Sequence, residues 1–249
     1  NQNLTELHAM KNFFFSMANH ELRSPLTSIK GYTALLLEGR AGPLSPKQLE
    51  YVKYLDEESL RLEKLVNELL DLSRIDSDKF KMDKQSVDLP KIIDPLVQKM
   101  KLESESAGVN FECSIGADVP RLHADGGRLV QVLANLTENA LKYTPAGGRV
   151  ELSVRRINAS EVSRFRDDIV GEAVMFRVKD SGKGLPKESL EKIFQRYVQL
   201  DSSDGKKGLG LGLVIAKEIV NRHNGEILVE SEGLGKGAEF SVLIPVQSA

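Results

Sequence analysis

Two long helical patterns, separated by one short turn, occupy the first third of the chain. Apolar residues recur at helical spacing from Leu4 to Glu38 and again from Leu49 to about Ile75. The sequence between them, EGRAGPLSP, is dense in Gly and Pro and predicts a turn. Within it, Ser45 and Pro46 are the residue types of a helix N-cap and a first helical position. Two long helices joined by so short a loop form an antiparallel hairpin.

The apolar stripe on each helix is wider than one neighbouring helix can cover. We therefore expect the hairpin to pair with a second copy of itself into a dimeric four-helix bundle. Pro25 is the only proline inside the first helix. Because its ring removes an amide donor and clashes with the preceding turn, it predicts a kink close to residues 21 to 25.

The sequence changes character after the polar stretch 76–86, with shorter segments, mixed periods and most of the chain's 20 glycines. We place the domain boundary there, between a first domain over residues 1–80 and a second over residues 87–249. The second domain has predicted helices over 89–107, 127–143 and 211–223, and predicted strands over 109–115, 149–157, 172–179, 226–231 and 238–244. Helices and mostly antiparallel strands in this order predict a two-layer α/β sandwich.

The charge balance and the cysteine count exclude several classes of protein. Thirty-four basic residues against 36 acidic ones leave a formal net charge of −2, which argues against a duplex nucleic-acid binder. The single cysteine, Cys113, excludes an intramolecular disulfide and a Cys-rich zinc site. Its place on the apolar face of a strand predicts a core residue.

The start of the chain bears on its location. No apolar run approaches the roughly 20 residues that cross a bilayer, and NQNLTELHAM has no signal-peptide pattern. The chain lacks an initiator Met and opens within a helical pattern. We therefore expect a cytoplasmic piece of a longer protein, with no nucleic-acid partner and no membrane contact within this piece.

One helix of the second domain carries polar side chains on a single face. The sequence NLTENALKYT places Asn135, Asn139 and Lys142 at positions i, i+4 and i+7, which share one face over about two turns. Amide oxygens can ligate a magnesium ion that also carries phosphate oxygens and water, and a lysine can contact a phosphate. Taken alone, the pattern is equally typical of a solvated helix face.

A carboxylate stands at the end of a predicted strand, at the start of DSGKG. Asp180 can accept a hydrogen bond from an exocyclic amine such as that of adenine, while Gly182 and Gly184 let the backbone approach a ring closely. By itself, the segment is more typical of an ordinary turn.

The sequence GLGLGL over residues 208–213 opens a predicted helix, so that backbone amides and the positive helix end would face an anion. It lacks the Rossmann spacing and the Walker lysine and hydroxyl pair, which disfavours those two folds. A fourth segment, GKG at 235–237, is by itself more typical of a hairpin turn. Each signal is weak alone, and the ordered set of four favours a nucleotide site.

The first domain contains one histidine with unusual neighbours, in the sequence NHELRSP. Glu21 can accept a hydrogen bond from one ring nitrogen of His20 and raise the nucleophilicity of the other. No second histidine stands at metal-ligand spacing, which argues against zinc. The remaining histidines are expected to be solvated or core side chains: His8, His123 and His223.

These segments together resemble the motifs of bacterial two-component sensor histidine kinases. FFFSMANHELRSPLTSIKGY is similar to the H-box of that family, NLTENALKYT to its N-box and IFQRYVQLD to its F-box. DSGKG, GLGLGL and GKGAEF are similar to its three glycine boxes, and the resemblance extends from about residue 4 to residue 246. It implies that the hairpin is a dimerisation and histidine phosphotransfer domain. The second domain would then be an ATP-binding domain of the type shared with gyrase and Hsp90.

The resemblance also implies roles for individual residues. His20 would be the phosphoacceptor and Glu21 its acid/base partner. Asn139 would ligate magnesium with Asn135 in support, and Asp180 would bind the adenine amine.

Further positions would contact or shape the ATP site, with Lys142 and Tyr143 on phosphate or sugar. The glycine boxes would form the pocket and its mobile lid through Gly182, Gly184, Gly208, Leu209, Gly210, Leu211 and Gly212. The implied cofactors are ATP and Mg. The implied partners are a second copy of the chain and the receiver domain of a response regulator, whose aspartate would take the phosphoryl group from His20.

Two departures from the family pattern bear on activity. The family often has an arginine near the end of the F-box that can meet the γ-phosphate, and this chain has Gln199. Either Arg196, Lys206 or Lys207 substitutes for that arginine, or kinase activity is low. Family members with phosphatase activity commonly carry Thr or Asn four residues after the histidine, where this chain has Ser24. Its hydroxyl could still orient a water, so we expect phosphatase activity to be retained.

Two other classes of function stay open. In a gyrase-like or chaperone-like ATPase, the hairpin would only clamp a dimer. Such ATPases typically place a water-activating glutamate one turn before the magnesium asparagine, and this chain has Asn135 there, which favours transfer to His20. A degenerate kinase would be a dimeric scaffold that binds a regulator, and the intact His20, Asn139 and Asp180 argue against it. The sequence suggests no function for residues 158–171.

Overall fold

The computed structural model describes Leu22 and residues 24–162, 165, 171–198 and 209–246. The chain divides into two compact units, Asn1–Phe80 and Lys81–Ala249. The second unit thus begins six residues before the start at 87 that the sequence suggested, because residues 85–87 form a strand that pairs within it. Within the described ranges, no helix is both long and apolar enough to span a membrane.

The first unit contains two helices, α1 over residues 24–37 and α2 over Pro46–Asp76. Ser45 is the N-cap of α2, as predicted, and forms a capping box with Gln48. The Ser45 hydroxyl accepts from the Gln48 main-chain N–H at 3.4 Å, and the Gln48 side chain accepts from the Ser45 N–H at 2.9 Å. Glu21 and Arg23 lie outside the described residues, so the kink near residues 21 to 25 stays a prediction.

Polar contacts between α1 and α2 fix their direction. The Thr33 hydroxyl donates to Asp56 at 2.8 Å, and the Lys30 ammonium lies 2.6 Å from the Glu63 carboxylate. The earlier residue of α1, Lys30, contacts the later residue of α2, Glu63, and the later residue of α1, Thr33, contacts the earlier one, Asp56. The two helices are therefore antiparallel. The hairpin prediction is therefore confirmed.

The second unit contains seven strands and four α-helices within its described residues. In chain order they are β1 (Gln85–Val87), α3 (Leu89–Ala107), β2 (Asn110–Ile115), β3 (Leu122–Ala124), α4 (Gly126–Tyr143), β4 (Arg149–Ile157), α5 (Ala159–Val162), β5 (Ala173–Asp180), a short 3-10 turn (Lys187–Ser189), α6 (Gly212–Arg222), β6 (Glu226–Glu230) and β7 (Glu239–Pro245). The three helices and five strands that the sequence predicted here, α3, α4, α6, β2, β4, β5, β6 and β7, have ends within one residue of the predicted ones.

Five strands form the main sheet in the order β2-β4-β5-β7-β6. Strands β2 and β4 are parallel, and every other neighbouring pair is antiparallel. Strands β1 and β3 form a separate antiparallel pair that the sequence analysis missed. Three-residue strands are too short to show an alternating period.

Helices α3, α4 and α6 contact the main sheet and make the second layer. Side chains on the helix-facing side of the central strands are wholly buried, among them Leu152 of β4, Phe176 of β5 and Val242 of β7. Cys113 lies on the same side of β2 but is only half-buried, because β2 is the edge strand. Burial raises the pKa of its thiol. The two-layer sandwich is confirmed.

Part of the segment 158–171 has a structural role. Asn158 accepts from the Glu161 N–H at 3.0 Å at the start of α5. Val162 at the end of α5 is fully buried against Ile157, Met175 and Leu243. This short helix therefore covers apolar side chains that β4, β5 and β7 contribute to one face of the main sheet.

Candidate functional site

The polar face of α4 runs from the core to the surface. Asp125 caps the helix by accepting from the Arg128 N–H at 3.0 Å. Asn135 is buried, with 8% of its surface exposed, Asn139 is half-buried and Lys142 is exposed. The three predicted side chains therefore lie on one helix face at increasing distance from the core.

Asn135 joins α4 to the start of α6. Its amide nitrogen donates to the carbonyl oxygen of Gly212, the first residue of α6, at 3.1 Å. An added Cβ at Gly212 would lie 3.4 Å from the Asn135 amide, so the two residues are in close contact. The carboxamide of Asn135 thus holds the last glycine of the GLGLG segment in place.

Asn139 and Lys142 make fewer contacts. Within the described residues, no hydrogen bond involves the Asn139 side chain, which leaves its amide oxygen available to a ligand. The Lys142 ammonium lies 4.9 Å from the ring centroid of Tyr143, within the range of a cation–π contact.

Asp180 ends β5 as a buried carboxylate, with 9% of its surface exposed. Its Oδ1 atom accepts from the main-chain N–H of Gly182 at 2.8 Å and of Ala238 at 3.3 Å. Burial raises the pKa of this carboxyl, and the two backbone hydrogen bonds oppose that shift. Among the described residues Oδ2 has no hydrogen-bond donor, so one oxygen is held rigidly and the other is free to accept from a ligand.

Two glycines are required where loops approach each other around Asp180. A Cβ at Gly182 would collide with the main-chain oxygen of Tyr143, and one at Gly237 would collide with the carbonyl oxygen of Asp180. The Gly237 N–H donates to the Gly182 carbonyl at 3.1 Å. From the sequence alone, the GKG segment was more typical of a hairpin turn. In the structure it lies directly against the loop that follows Asp180.

Sequence reasoning missed two serines that fasten these loops. The Ser181 hydroxyl accepts from the Arg149 N–H at 2.8 Å at the start of β4. The Ser231 hydroxyl accepts from the Leu185 N–H at 3.0 Å and donates to the Gly237 carbonyl at 2.7 Å. A single serine in a loop gives no pattern by which either could have been found.

The described part of the GLGLGL segment leads into α6. Gly210 has a positive φ of 69°, and Leu211 is fully buried. Leu211 therefore contributes its side chain to the core and could meet a ligand only through its main chain. Leu209 is half-buried, and Gly208 lies outside the described residues.

Several predicted positions belong to other parts of the chain. His20, Glu21, Gln199, Lys206 and Lys207 lie outside the described residues.

Two more predicted residues are exposed. Ser24 lies on α1, and its carbonyl accepts from the Ser28 hydroxyl at 3.3 Å. Arg196 follows the 3-10 turn. The structure thus brings together Asn135, Gly212 and α4 on one side of the candidate site, and Asp180, Gly182 and Gly237 on the other.

These residues supply too few oxygen ligands to hold a magnesium ion alone, so a bound polyphosphate would have to supply the others. The described residues contain no group of three or more His, Cys, Asp or Glu side chains that could hold a metal ion. The amide oxygen of Asn139, which has no hydrogen-bond partner among the described residues, is a hard oxygen donor, and Mg²⁺ typically combines few protein ligands with phosphate oxygens and water. The site therefore suits a metal that arrives with a polyphosphate.

The chain matches two protein families along its length. Residues 10–78 match the His Kinase A (phospho-acceptor) domain. Residues 124–248 match the family described as histidine kinase-, DNA gyrase B- and HSP90-like ATPase.

Similar proteins and structures point the same way. The alginate biosynthesis sensor protein KinB of Pseudomonas aeruginosa is 34% identical over 94% of this chain and 36% of its own length. The circadian input-output histidine kinase CikA of Synechococcus elongatus is 34% identical over 97% of this chain and 31% of its own length. Full-length ShkA in complex with AMPPNP matches with a TM-score of 0.72 and 29% identity, over 94% of this chain and 46% of that one.

The chain therefore belongs to the sensor histidine kinases, with a phospho-acceptor helical domain followed by an ATPase domain of the gyrase and HSP90 type. It spans about a third of the length of the curated relatives described above.

Proposed function

We propose that this chain is an ATP-dependent protein histidine kinase core. It phosphorylates His20 and passes the phosphoryl group to an aspartate of a response regulator. The observation that carries the proposal is Asp180, a buried carboxylate with one oxygen held by two backbone amides and the other free. Such a group accepts an amine hydrogen bond in a defined direction, as recognition of adenine requires.

The polar face of α4 and the start of α6 bind the phosphates. Asn139 ligates Mg²⁺ through its amide oxygen, and Lys142 with Tyr143 contacts phosphate or sugar. The first backbone amides of α6 point toward negative charge, and the positive helix end adds to the attraction. The bound metal neutralises phosphate charge, and the other groups align the γ-phosphate for transfer.

Asn135 supports the assembly by holding Gly212, so the end of the GLGLG segment keeps a fixed place beside α4. Gly182, Gly184, Gly208, Leu209, Gly210 and Leu211 form the rest of the pocket wall and lid through their main chains.

The nucleophile is the neutral ring of His20. The lone pair of one ring nitrogen attacks the γ-phosphorus, the N–P bond forms and the bond to the bridging oxygen breaks, so that ADP leaves. Glu21 accepts a hydrogen bond from the other ring nitrogen and takes its proton as positive charge develops. In the second reaction, an aspartate oxygen of the regulator attacks the same phosphorus and frees His20.

Transfer to His20 is favoured over hydrolysis by the chemistry of Asn135. A water-activating residue must accept a proton, whereas the Asn135 amide is neutral and donates to the Gly212 carbonyl. This contact argues against the gyrase-like or chaperone-like ATPase alternative.

Three further features belong to the proposal. One of Arg196, Lys206 and Lys207 replaces the lid arginine whose position Gln199 occupies. Ser24, exposed on α1, orients a water during dephosphorylation of the regulator. The chain acts as a homodimer in the cytoplasm, joined through the exposed apolar surface of its hairpin.

The experiment that tests the proposal is autophosphorylation with γ-labelled ATP and Mg²⁺. Wild type is expected to acquire an acid-labile, alkali-stable label, and His20→Gln is expected to acquire none while still binding ATP. Asn139→Asp adds a negative charge beside the phosphates and is expected to lose label and ATP binding together. His123→Gln, an exposed histidine of β3, is the matched control and should label as wild type does.

Release of labelled phosphate without a protein-bound label would instead identify an ATPase. Failure of wild type to bind ATP with Mg²⁺ would identify a scaffold.

A further inference from the structure

Helices α4 and α6 lie side by side, and one hydrogen bond joins them at each end of their contact. At one end, the Asn135 amide donates to Gly212 at the start of α6. At the other end, the ring of His223 after the last turn of α6 accepts from the main-chain N–H of Asp125, the N-cap of α4, at 3.0 Å. The helices are therefore antiparallel. The ten residues of sequence from Asp125 to Asn135 separate the two contacts by about 15 Å at 1.5 Å per residue.

The contacts of His223 define its protonation state. The ring is 2% exposed, and Nδ1 lies 2.8 Å from the carbonyl oxygen of Ile219, which can only accept a hydrogen bond. Nδ1 therefore carries the proton. Nε2 faces a main-chain N–H that can only donate, so Nε2 must be unprotonated. The two partners fix the neutral, Nδ1-protonated ring.

The side chain of Asp125 is already committed to other backbone groups. Its Oδ1 accepts from the Arg128 N–H at 3.0 Å, and its Oδ2 accepts from the Asp83 N–H at 2.9 Å. Asp125 therefore caps α4, accepts a hydrogen bond from the loop before β1 and donates one to His223. Displacing His223 would leave the Asp125 N–H buried without its acceptor.

Charging the ring would break this contact. A proton on Nε2 would place two donors against each other in a buried site. Burial lowers the pKa of His223, with Lys84 adding to that effect and the Ile219 hydrogen bond and Asp125 opposing it. Lys84, from the segment before β1, and Asp125, at the start of α4, are the charged groups that act on the ring.

We propose that His223 is a positioning residue for the nucleotide site. Its neutral ring fixes the position of α6 along the axis of α4. That position determines where Gly212 and the first backbone amides of α6 lie relative to the polar face that carries Asn139. Without it, this end of the contact between α4 and α6 loses its hydrogen bond, while the Asn135 bond to Gly212 at the other end stays. The inference rests on the nucleotide site proposed above, and His223 itself touches no part of that site.

The proposal has a defined pH dependence. The unfolded chain binds a proton at the ordinary histidine pKa of about 6.5, whereas the folded chain binds it only at lower pH. The contribution of the contact is therefore complete above the ordinary pKa and is lost as pH falls toward the lowered one. Nucleotide affinity should fall only as the folded ring itself takes up the proton, at a pH below the ordinary histidine pKa, because that proton releases the end of α6.

The test measures binding of ADP with Mg²⁺ by titration calorimetry at 15 °C on the full 249-residue chain, from pH 7.5 down to the lowest pH at which the chain stays folded. His223→Gln places an amide oxygen near the position of Nε2, so it keeps an acceptor that does not titrate. His223→Phe keeps a ring without an acceptor. His123→Gln removes an exposed histidine two residues before Asp125 and is the matched control.

At pH 7.5, His223→Gln is expected to bind as wild type does, and His223→Phe about fivefold more weakly, the size expected for one lost hydrogen bond. At a pH where nitrogen chemical shifts show the His223 ring to be protonated, wild type and His123→Gln should have lost about fivefold more affinity relative to pH 7.5 than His223→Gln, since titration of ADP itself is common to all. Nitrogen chemical shifts of the wild-type ring should show the Nδ1-protonated form. Thermal unfolding at each pH identifies the conditions in which every variant is folded.

Other results would overturn the inference. A folded His223→Phe with wild-type affinity, or a His223→Gln that follows the wild-type pH profile while the wild-type ring takes up its proton, would show that the ring only stabilises the fold. If a variant does not fold, the test rests on wild type, in which the protonation state of the His223 ring is compared with the affinity for ADP at each pH. An Nε2-protonated form, or a ring that titrates without any change in ADP affinity, removes the proposal. Failure of wild type to bind ADP at every pH would instead contradict the nucleotide site itself.

Discussion

The two units of this chain differ in how completely each one covers its own apolar side chains. In the second unit, side chains such as Leu152 and Phe176 are almost wholly buried between the sheet and its helices. In the hairpin, Tyr32 is 70% exposed, Tyr54 64% and Leu55 53%. The difference means that the second unit has a complete core within one chain, whereas the hairpin leaves apolar side chains exposed, on the surface that we propose a second copy covers.

The polar contacts of the two units differ in the same way. The hairpin is held in register by contacts between side chains, such as Thr33 with Asp56. In the second unit, the contacts around Asp180 and His223 involve main-chain N–H and carbonyl groups brought together by tertiary structure. Substitutions in the hairpin should therefore alter the association of two chains and the register of α1 against α2. Substitutions in the second unit should alter the stability of that unit or its affinity for a ligand.

The largest expected effect is in the core of the second unit. Replacing Phe176 with Ala should lower the free energy of unfolding of that unit by about 3–5 kcal/mol, because it leaves a cavity between sheet and helices. Phe165, 37% exposed, is the matched control, and Phe165→Ala should change the free energy of unfolding by less than about 0.5 kcal/mol. Urea denaturation followed by circular dichroism measures both. Equal losses in the two variants would contradict the contrast between core and surface.

Asp180→Asn should separate binding from stability. Loss of the charged acceptor for the adenine amine should weaken ATP binding by about 10- to 100-fold, or about 1.5–3 kcal/mol.

The stability of the same variant follows from the direction of the pKa shift. Because burial raises the pKa of Asp180, the ionised group destabilises the ligand-free fold as pH rises through that pKa. The variant lacks this cost and its amide oxygen can still accept from Gly182 and Ala238, so its melting temperature at pH 7 should not fall. Asp118→Asn, at an exposed turn, should change neither property. A melting temperature well below that of wild type would show that the carboxylate is structural.

Leu55→Glu should act on association of the hairpin. A charge placed on the exposed apolar surface would have to be buried in the bundle, so the dimer dissociation constant should rise by at least about tenfold. Sedimentation velocity across a concentration series measures it, and calorimetry should show an unchanged second unit. An unaltered dissociation constant would place the dimer contact elsewhere on the chain.

The smallest expected effect is on hairpin register. Thr33 is 4% exposed and donates to Asp56, so Thr33→Val should cost the hairpin about 1 kcal/mol. A double-mutant cycle with Asp56→Ala separates the coupling of the pair from the loss of either side chain. Additive losses in the cycle would mean that the 2.8 Å contact contributes no coupling in solution.

Local sequence patterns were sufficient to predict the main helices and strands and the order of the motifs. Helical periods, the Ser45 cap and the glycine-rich segments are encoded within a few neighbouring residues, so the hairpin, the sandwich and the candidate face of α4 could be predicted. The three-residue strands β1 and β3 could not, because so short a segment has no detectable period.

The contacts that hold the candidate site together become visible only in the folded chain. It committed the Asn135 amide to Gly212, 77 residues away, set Gly237 against Asp180, and made His223 the acceptor for Asp125, 98 residues before it. None of these contacts has a local sequence signal. Each depends on where the sheet and helices bring distant backbone together, and on the requirement that buried polar groups find partners there.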